Sequence, residues 1–328
     1  LGLLFLIPLA DLRSRRRILL VDFTLLILAL LATAAAPDIG VLHVSSFIIG
    51  VCSVVPQFFI PFAAQYSRPE NKNRNVGIIL SGLLTGILAS RVVSGAVGEW
   101  LGWREMYYIA TGMMLVCAVL VFRILPDEKP NFTGSYAALM RSLFTLLKQY
   151  PLLQLHSVRA ALAFGSFMGF WATLAFKMAQ EPFHAGSDVV GMLGLCGIAG
   201  AVTASFIGKY IARLGVYRFN CFGALLQLAA WGLFAAGGDH YGPIIGGILL
   251  VDIGMQCIQL SNQAPLFELC PSAANRINTI FMSCYFIGGS LGTLLSGTAW
   301  VLFGWSGVVG TGALLTALSL IITLVAKR

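Results

Sequence analysis

The sequence predicts an all-α, polytopic membrane protein built from two homologous helix bundles. Apolar residues make up 58% of the 328 residues and charged residues only 10%, whereas a soluble domain carries about 25% charged residues. The apolar residues gather into segments long enough to cross a bilayer, which takes about 20 residues each. A repeated residue pattern divides these segments into two sets. Together these observations indicate lipid as the solvent for most of the chain.

Hydropathy predicts one partial helix followed by ten complete transmembrane helices. The longest connector, 126–154, is expected to be a cytoplasmic linker between an N-terminal bundle, 1–125, and a C-terminal bundle, 155–328. The partial helix is 1–10, and the complete spans are 18–36, 39–64, 76–97, 106–124, 155–178, 189–208, 219–237, 243–263, 277–300 and 306–326.

The cations are distributed unequally between the two sides of this arrangement. Only Arg104 and Lys177 lie on one side, and seventeen lie on the other. Since positive residues stay in the cytoplasm, the seventeen mark the cytoplasmic loops and the C-terminus of an inner-membrane protein. They are Arg13, Arg15, Arg16, Arg17, Arg68, Lys72, Arg74, Arg123, Lys129, Arg141, Lys148, Lys209, Arg213, Arg218, Arg276, Lys327 and Arg328.

Several function classes find no support in the sequence. The seven cysteines stand singly, which indicates neither disulfides nor a zinc site. We find no P-loop, nucleotide-binding fingerprint or catalytic dyad. We therefore expect no enzyme, no metal, no cofactor other than a proton gradient, and no nucleic-acid partner. The expected partners are the lipid bilayer, protons and a small-molecule substrate, and the protein is expected to be a monomer.

An internal repeat relates the two bundles. Subtracting 202 places Gln259 on Gln57, and it also places residues of later loops and helices on like residues. A constant offset of this kind indicates a duplicated unit of six helices. The chain opens at Leu1 inside an apolar run, and we expect it to lack the first helix and half of the second. The further matches are Pro271 on Pro69, Asn275-Arg276 on Asn73-Arg74, Ser283 on Ser81, Gly288 on Gly86, Ser296-Gly297 on Ser94-Gly95 and Gly304-Trp305 on Gly102-Trp103.

The loop from Pro8 to Arg17, Pro-Leu-Ala-Asp-Leu-Arg-Ser-Arg-Arg-Arg, resembles the G-x-L-a-D-R-x-G-R-R signature of the major facilitator superfamily. A second copy lies at 208–218. The resemblance implies two six-helix bundles that move a small molecule by alternating access. It also implies a cytoplasmic lock between the halves, with Asp11 facing the helix that begins near Asn278. The lock residues would be Asp11, Arg15, Arg16 and Arg213. Anchoring by the positive-inside rule is the alternative for the arginines.

The span 76–97 resembles the corresponding helix of bacterial drug- and sugar-efflux members, with Ile87 at the position of their usual proline. Gly82 and Gly86 line one small-residue ridge, and Gly288 and Gly292 line another. Because small residues let backbones approach closely in lipid, these ridges could pack across the two halves. Static packing within one bundle is the alternative.

The polar face of the span 243–263 is the clearest candidate for a substrate path. Asp252, Gln256, Gln259 and Gln263 fall within roughly 60° of one another at helical spacing. Because a charge costs about 2.5–3.5 kcal/mol at the bilayer centre, this face should meet water or protein. A hydrogen-bonded zipper between helices is the alternative to a cavity lining. Asp252 is the expected proton-coupling group, with Asp22 as a weaker candidate.

Three other spans contribute candidate residues for the substrate path. Ser53 and Gln57 belong to a polar stripe on 39–64 that also includes His43, which we expect to be solvated. Trp171 belongs to a face of 155–178 with Phe164, Phe167 and Met178, which either forms a substrate wall or is packed or lipid-facing. Arg91 is expected either to line the cavity or to extend outward to the membrane surface, and Arg159 to extend outward.

These features predict a secondary transporter, and the efflux resemblance favours proton-coupled export of drugs or sugars. An uptake symporter or facilitator is an alternative. A receptor or scaffold that transports nothing is a further alternative, although it would not need paired polar stripes.

Overall fold

A computed structural model gives the fold. The structure describes residues 2–12, 14–56, 58–59, 67, 71–125, 135–198, 215–270 and 273–326. Within this part of the chain, all regular secondary structure is helical. The helices are α1 Gly2–Leu12, α2 Arg15–Ala34, α3 Ile39–Cys52, α4 Lys72–Trp100, α5 Trp103–Ile124, α6 Tyr136–Gln149, α7 Pro151–Ala179, α8 Ser187–Leu193, α9 Val216–Gly237, α10 Tyr241–Gln263, α11 Leu266–Leu269 and α12 Ala274–Val325.

Six of the described helices are long and apolar enough to cross a membrane. The last of them, Arg276–Val325, has 50 residues, or about 75 Å at 1.5 Å per residue, which is long enough for two crossings of a hydrocarbon core of about 30 Å. The chain is therefore a multi-pass helical membrane protein, and the expected total of ten complete spans stays a prediction.

The helix boundaries follow from local residue chemistry. Asp38 caps α3, since its side chain accepts a hydrogen bond from the backbone N–H of Val41 at 3.0 Å. Pro151 occupies the first turn of α7, where its missing N–H costs nothing. Gly102 precedes α5 with a φ of 109°, and Gly304 breaks α12 with a φ of 62°. Both glycines adopt a backbone conformation that side chains disfavour, and they are equivalent in the repeat.

The chain divides into two compact units, Leu1–Ser142 and Leu143–Arg328. In the first unit, α2 packs against α3 and α5, and α4 packs mainly against α5. In the second, α9 packs against α10 and α12, and α7 packs along α12. The pairing of α2 with α3 and α5 recurs in that of α9 with α10 and α12, as the repeat requires.

The boundary between the units falls inside the predicted linker, 126–154. The described part of this linker contains α6, whose Leu139, Leu143 and Leu146 are buried while Arg141 and Lys148 are exposed. Leucines three and four residues apart form one face of a helix. The sequence analysis predicted the segment only as a cytoplasmic linker. It contains instead an amphipathic helix.

The core of the second unit is aromatic. Phe170 and Phe234 stack with ring centroids 4.5 Å apart. The indole N–H of Trp305 donates to the carbonyl oxygen of Phe234 at 3.1 Å, and that of Trp231 donates to the hydroxyl of Ser166 at 2.8 Å. These indoles fill the space among α7, α9 and α12 and have their polar atoms satisfied. The core holds these three helices together.

Candidate functional site

The polar face of α10 carries the candidate site. Asp252 is buried, with 8% of its surface exposed, and it lies close enough to the Cys196 thiol, just after α8, to interact with it electrostatically. Gln256, one turn further along, is half-buried. A carboxyl nine residues after Pro243 lies about 14 Å along the helix, deep in the span. A group that can carry charge is thus held inside the second unit.

The two remaining glutamines of this face bond to α12. The hydroxyl of Tyr285 donates to Gln259 Oε1 at 3.1 Å. Gln263 Nε2 donates to Asn278 Oδ1 at 2.9 Å. This is the interhelical zipper that the sequence left open as an alternative. Both glutamines remain half-buried, so the face joins α12 without being fully enclosed by it.

Aromatic residues of α7 extend the same region. Phe164 stacks on Tyr285 with centroids 3.8 Å apart, and Phe167 follows Phe164 at 5.9 Å. Trp171 is half-buried and meets Phe167 edge-on at 6.3 Å. Met178, placed on this face by its spacing, is fully buried in the aromatic core and takes no part in an open wall.

The region therefore combines half-buried rings, half-buried amides and a buried carboxyl on three helices of one unit. Such a surface can contact the apolar part of a small molecule with its rings and its polar groups with the amides, as ligand sites commonly do. The carboxyl can bind or release a proton. Within the described residues, no cluster of metal-ligating side chains accompanies it.

A buried hydrogen-bond network, which the sequence did not predict, lies in the same unit. Asn262 Nδ2 donates to Asn220 Oδ1 at 2.6 Å, and Asn220 Nδ2 donates to the hydroxyl of Ser261 at 3.1 Å. The Nδ1 atom of His156 lies 2.9 Å from the carbonyl oxygen of Asn262. The network fastens α7 and α9 to α10. The sequence feature that could have predicted this network is the pair Asn220 and Gln227, which lie seven residues apart in an otherwise apolar span.

The prediction that Arg159 extends outward is wrong. Its side chain is only 5% exposed, so it does not extend to the membrane surface. The backbone carbonyl of Arg159 accepts a hydrogen bond from Ser319 at 3.0 Å. Hydropathy alone could not reveal this burial, since it gives depth along a helix but not the direction a side chain takes.

The candidates of the first unit are only partly described. Ser53 lies at the end of α3 and bonds to the carbonyl of Ile49 at 2.6 Å. Arg91 is half-buried on α4, and His43 is exposed. That His43 meets water stays a prediction. Asp22 is buried beside the Cys52 thiol. Gln57 lies outside the described residues.

The lock residues are likewise incomplete. Arg16 Nη2 donates to the carbonyl of Phe122 at 2.6 Å, in the last turn of α5, and its guanidinium lies 4.7 Å from the Phe122 ring centre. A cation on the last carbonyls stabilises a helix end. This contact lies within the first unit and is the kind of contact that anchoring predicts, and the lock stays a prediction. Arg213 and the side chains of Asp11 and Arg15 lie outside the described residues.

The two small-residue ridges differ. A Cβ on Gly288 would lie 2.2 Å from the carbonyl oxygen of Ala161, and one on Gly292 would lie 2.0 Å from that of Gly165. This ridge packs on α7 of its own unit, so the expected packing across the halves is corrected for these two residues. A Cβ on Gly82 or Gly86 would meet no atom within 4 Å in the described structure.

The fold defines a multi-pass helical membrane protein. The family model of the Major Facilitator Superfamily matches residues 1–293. The chain belongs to the Major Facilitator Superfamily.

Individual relatives agree with this assignment. The chain is 35% identical over 322 residues to the uncharacterized transporter YgaY of Escherichia coli O157:H7, covering 98% of this chain and 82% of that protein. It is 24% identical over 284 residues to a probable sugar efflux transporter of Helicobacter pylori, covering 86% and 71%. The crystal structure of the nucleoside transporter NupG superposes with a TM-score of 0.77 at 15% identity, covering 100% and 88%, and shares the fold.

Proposed function

We propose that the protein is a proton-coupled exporter of small amphipathic molecules or sugars in a bacterial inner membrane. The polar face of α10 would form part of the substrate path, and Asp252 would carry the coupling proton. The observation that carries this proposal is the burial of Asp252 on the same helix face as half-buried Gln256 and Gln259.

Physical chemistry supports a coupling role for Asp252. Burial penalises the charged form of a carboxyl, so a buried carboxyl favours its protonated form. When water reaches the group, the charged form is stabilised and the proton can be released. A rocking of the two halves that alternately admits water from each side would convert this linkage into transport. Export is supported by the resemblance of α4 to efflux members and by the Helicobacter pylori relative, whose name describes sugar efflux.

The test uses inside-out vesicles that contain the protein and are energised to acidify their lumen. Ethidium and glucose are the two probes, and a pH-sensitive dye reports proton release when either is added. We expect release with at least one probe and an at least tenfold loss in the Asp252→Asn variant, because an amide cannot carry the proton. Asp188→Asn, a change on the short helix α8, is the matched control and should keep the response.

Proton-driven transport that survives Asp252→Asn would disprove the coupling assignment. Accumulation of a probe in right-side-out vesicles, rather than extrusion, would replace export by uptake. Both outcomes would leave the family assignment intact.

A further inference from the structure

Arg159 is a buried cation without a counter-charge. It is 5% exposed, and its Nε atom is buried without a hydrogen-bond partner. Among the described residues, no carboxylate forms an ion pair with it. A charge in a protein interior is costly unless it is paired and hydrogen-bonded, and a guanidinium cannot avoid this cost by losing its proton. An anion is therefore expected beside Arg159.

The acidic residues of the second unit do not supply this anion. Asp239 pairs with Lys177, which lies eighteen residues beyond Arg159 on α7, or about 27 Å along the helix. Asp252 lies near the Cys196 thiol, just after α8. The stretches 199–214 and 271–272 contain no Asp or Glu. The acidic residues of this unit are Glu181, Asp188, Asp239, Asp252 and Glu268.

The guanidinium of Arg159 lies between α7 and the start of α9. It is close enough to the thiol of Cys221, in the second turn of α9, to interact with it electrostatically. Cys221 is half-buried, so this side of the guanidinium is near the surface of the unit. Val158 and Phe222, the sequence neighbours of Arg159 and Cys221, are 47% and 52% exposed. The surface on both helices next to the guanidinium is therefore apolar, as a lipid-facing surface is.

The start of α9 favours the same kind of ligand. Its N-cap is Gly215, and no side chain caps the helix. The first backbone N–H groups of a helix have no acceptor within the helix, and its N-terminus attracts anions. Arg218, in the first turn of α9, is exposed and adds a second cation. The helix start lies about 7.5 Å from Cys221 at 1.5 Å per residue, so two independent features attract an anion to one place.

The internal repeat indicates that the fold does not require a polar interior here. The two copies of the loop signature end at residues 17 and 218, an offset of 201. This offset places Asn220 on Leu19 and Cys221 on Leu20. Leu19 and Asn220 are both 1% exposed. The first unit thus fills with leucine the positions that are polar in the second, so the polar groups around Arg159 are specific to the second unit.

We propose that Arg159 and the start of α9 bind the phosphate group of an anionic ligand, either an anionic phospholipid or free phosphate. The guanidinium matches phosphate oxygens in a bidentate geometry, and the helix start adds backbone N–H donors. Val158 and Phe222 would contact the acyl chains if the ligand is a lipid. The bound phosphate neutralises Arg159 and joins α7 to α9. This site is separate from the polar face of α10 and does not depend on the proposed transport function.

The first test measures the apparent Tm of the purified natural polypeptide in lipid-free, uncharged detergent. Sodium phosphate is compared with sodium chloride at equal ionic strength, and phosphatidylglycerol with phosphatidylcholine at equal amounts. A ligand at one hundred times its Kd should raise the Tm by roughly 5–10 °C. A rise with phosphate identifies free phosphate as a sufficient ligand, and a rise only with phosphatidylglycerol identifies a lipid. No rise with either ligand would overturn the proposal.

Substitutions connect this rise to the site. Arg159→Gln should abolish it, and Arg159→Lys should retain part of it, because an ammonium keeps the charge but not the bidentate geometry. Lys148→Gln, which removes an exposed cation of α6, is the matched control and should keep the full rise. Without ligand, Arg159→Gln should not lower the Tm, because it removes an unneutralised buried charge. A rise that persists in Arg159→Gln would place the phosphate elsewhere and refute the assignment.

The second test leaves Arg159 unchanged. Cys221 is kept as the sole thiol, with the other six cysteines replaced by serine, and its rate of reaction with N-ethylmaleimide is measured. Phosphate or phosphatidylglycerol, whichever raises the Tm, should slow this reaction about tenfold or more, because the bound ligand covers the thiol. Half-buried Cys117 of the first unit, kept alone in the control, should react at an unchanged rate. Equal rates at Cys221 with and without ligand would contradict the proposed location.

Discussion

The burial and the partners of an ionisable residue in this protein depend on the neighbouring helices and not only on depth in the membrane. Arg159 and Lys177 lie on the same helix, and both are buried in protein. Lys177 reaches Asp239 with an Nζ–Oδ1 distance of 2.6 Å and lies 5.9 Å from the ring centres of Phe183 and Trp305. Its charge is thus compensated in place. The backbone carbonyl of Arg159 accepts a hydrogen bond from Ser319 of α12.

The Lys177–Asp239 pair predicts a pH dependence. Asp239 lies in the loop between α9 and α10, and the hydrogen bond and charge of Lys177 lower the pKa of its carboxyl from the ordinary 3.8. A carboxyl whose pKa is lower in the folded state stabilises the fold above its unfolded pKa. That contribution is lost as the pH falls through the folded value, below about 3.8.

The measurement is the apparent Tm in detergent between pH 6 and pH 3. We expect the natural chain to lose more stability over the lower part of this range than Asp239→Asn, which lacks the titrating group. Glu181→Gln, a change at an exposed carboxyl of a neighbouring loop, should follow the natural chain. Parallel pH curves for the natural chain and Asp239→Asn would contradict the role of the pair. The effect is expected to be small because Asp239 is exposed.

At the scale of elements, the break in α12 is set by one residue. Gly304 has a φ of 62° and lies between two apolar stretches that each could cross the membrane. Gly102 has the same role between α4 and α5. The Gly-Trp pairs at 102–103 and 304–305 are therefore two copies of one turn. The internal repeat in the sequence also matches these two pairs.

Gly304→Ala should destabilise the protein, because Gly304 has a φ of 62° and a ψ of −147°, a backbone conformation that essentially only glycine adopts and that costs other residues roughly 1–3 kcal/mol. Gly310→Ala is the matched control in the same helix: it has no atom within 4 Å of its Cβ position and no positive φ. Alanine there should stabilise by about 0.5–1 kcal/mol, because glycine is the poorer helix former. Free energies of unfolding from detergent titration would measure both. Equal signs for the two variants would refute the turn assignment.

The amphipathic helix α6 is an element that hydropathy alone did not predict. Its buried leucines are interrupted by Arg141 and Lys148, and its 14 residues are too few to cross a bilayer, so a search for spans assigns it to a connector. Periodicity, rather than average hydropathy, was the available signal. The same limit applies to α10, whose polar spacing predicted a shared face but not that Gln259 and Gln263 bond to α12.

At the scale of the whole molecule, the distribution of cations predicts the orientation in the membrane. The predicted spans assign the loop that contains Asp239 to the side with two cations and the C-terminus to the side with seventeen. Cysteine is introduced at Asp239 or at Ala326, both exposed, into a chain whose seven native cysteines are replaced by serine. An impermeant maleimide should label position 239 in intact cells and position 326 only after permeabilisation. The reverse pattern would invert the topology.

The sequence by itself determined the helical membrane class, the two related halves, the family and the residues that share the polar face of α10. These follow from hydropathy, a constant offset and helical periodicity, which are properties of positions along the chain. Only the tertiary structure decided that Gly288 and Gly292 pack on α7, that Arg159 is buried, and that Asn262 joins α9 to α10. Those facts depend on which helices are neighbours and how each is rotated about its axis. An apolar span carries little information on either, because lipid and a packed helix accept the same residues.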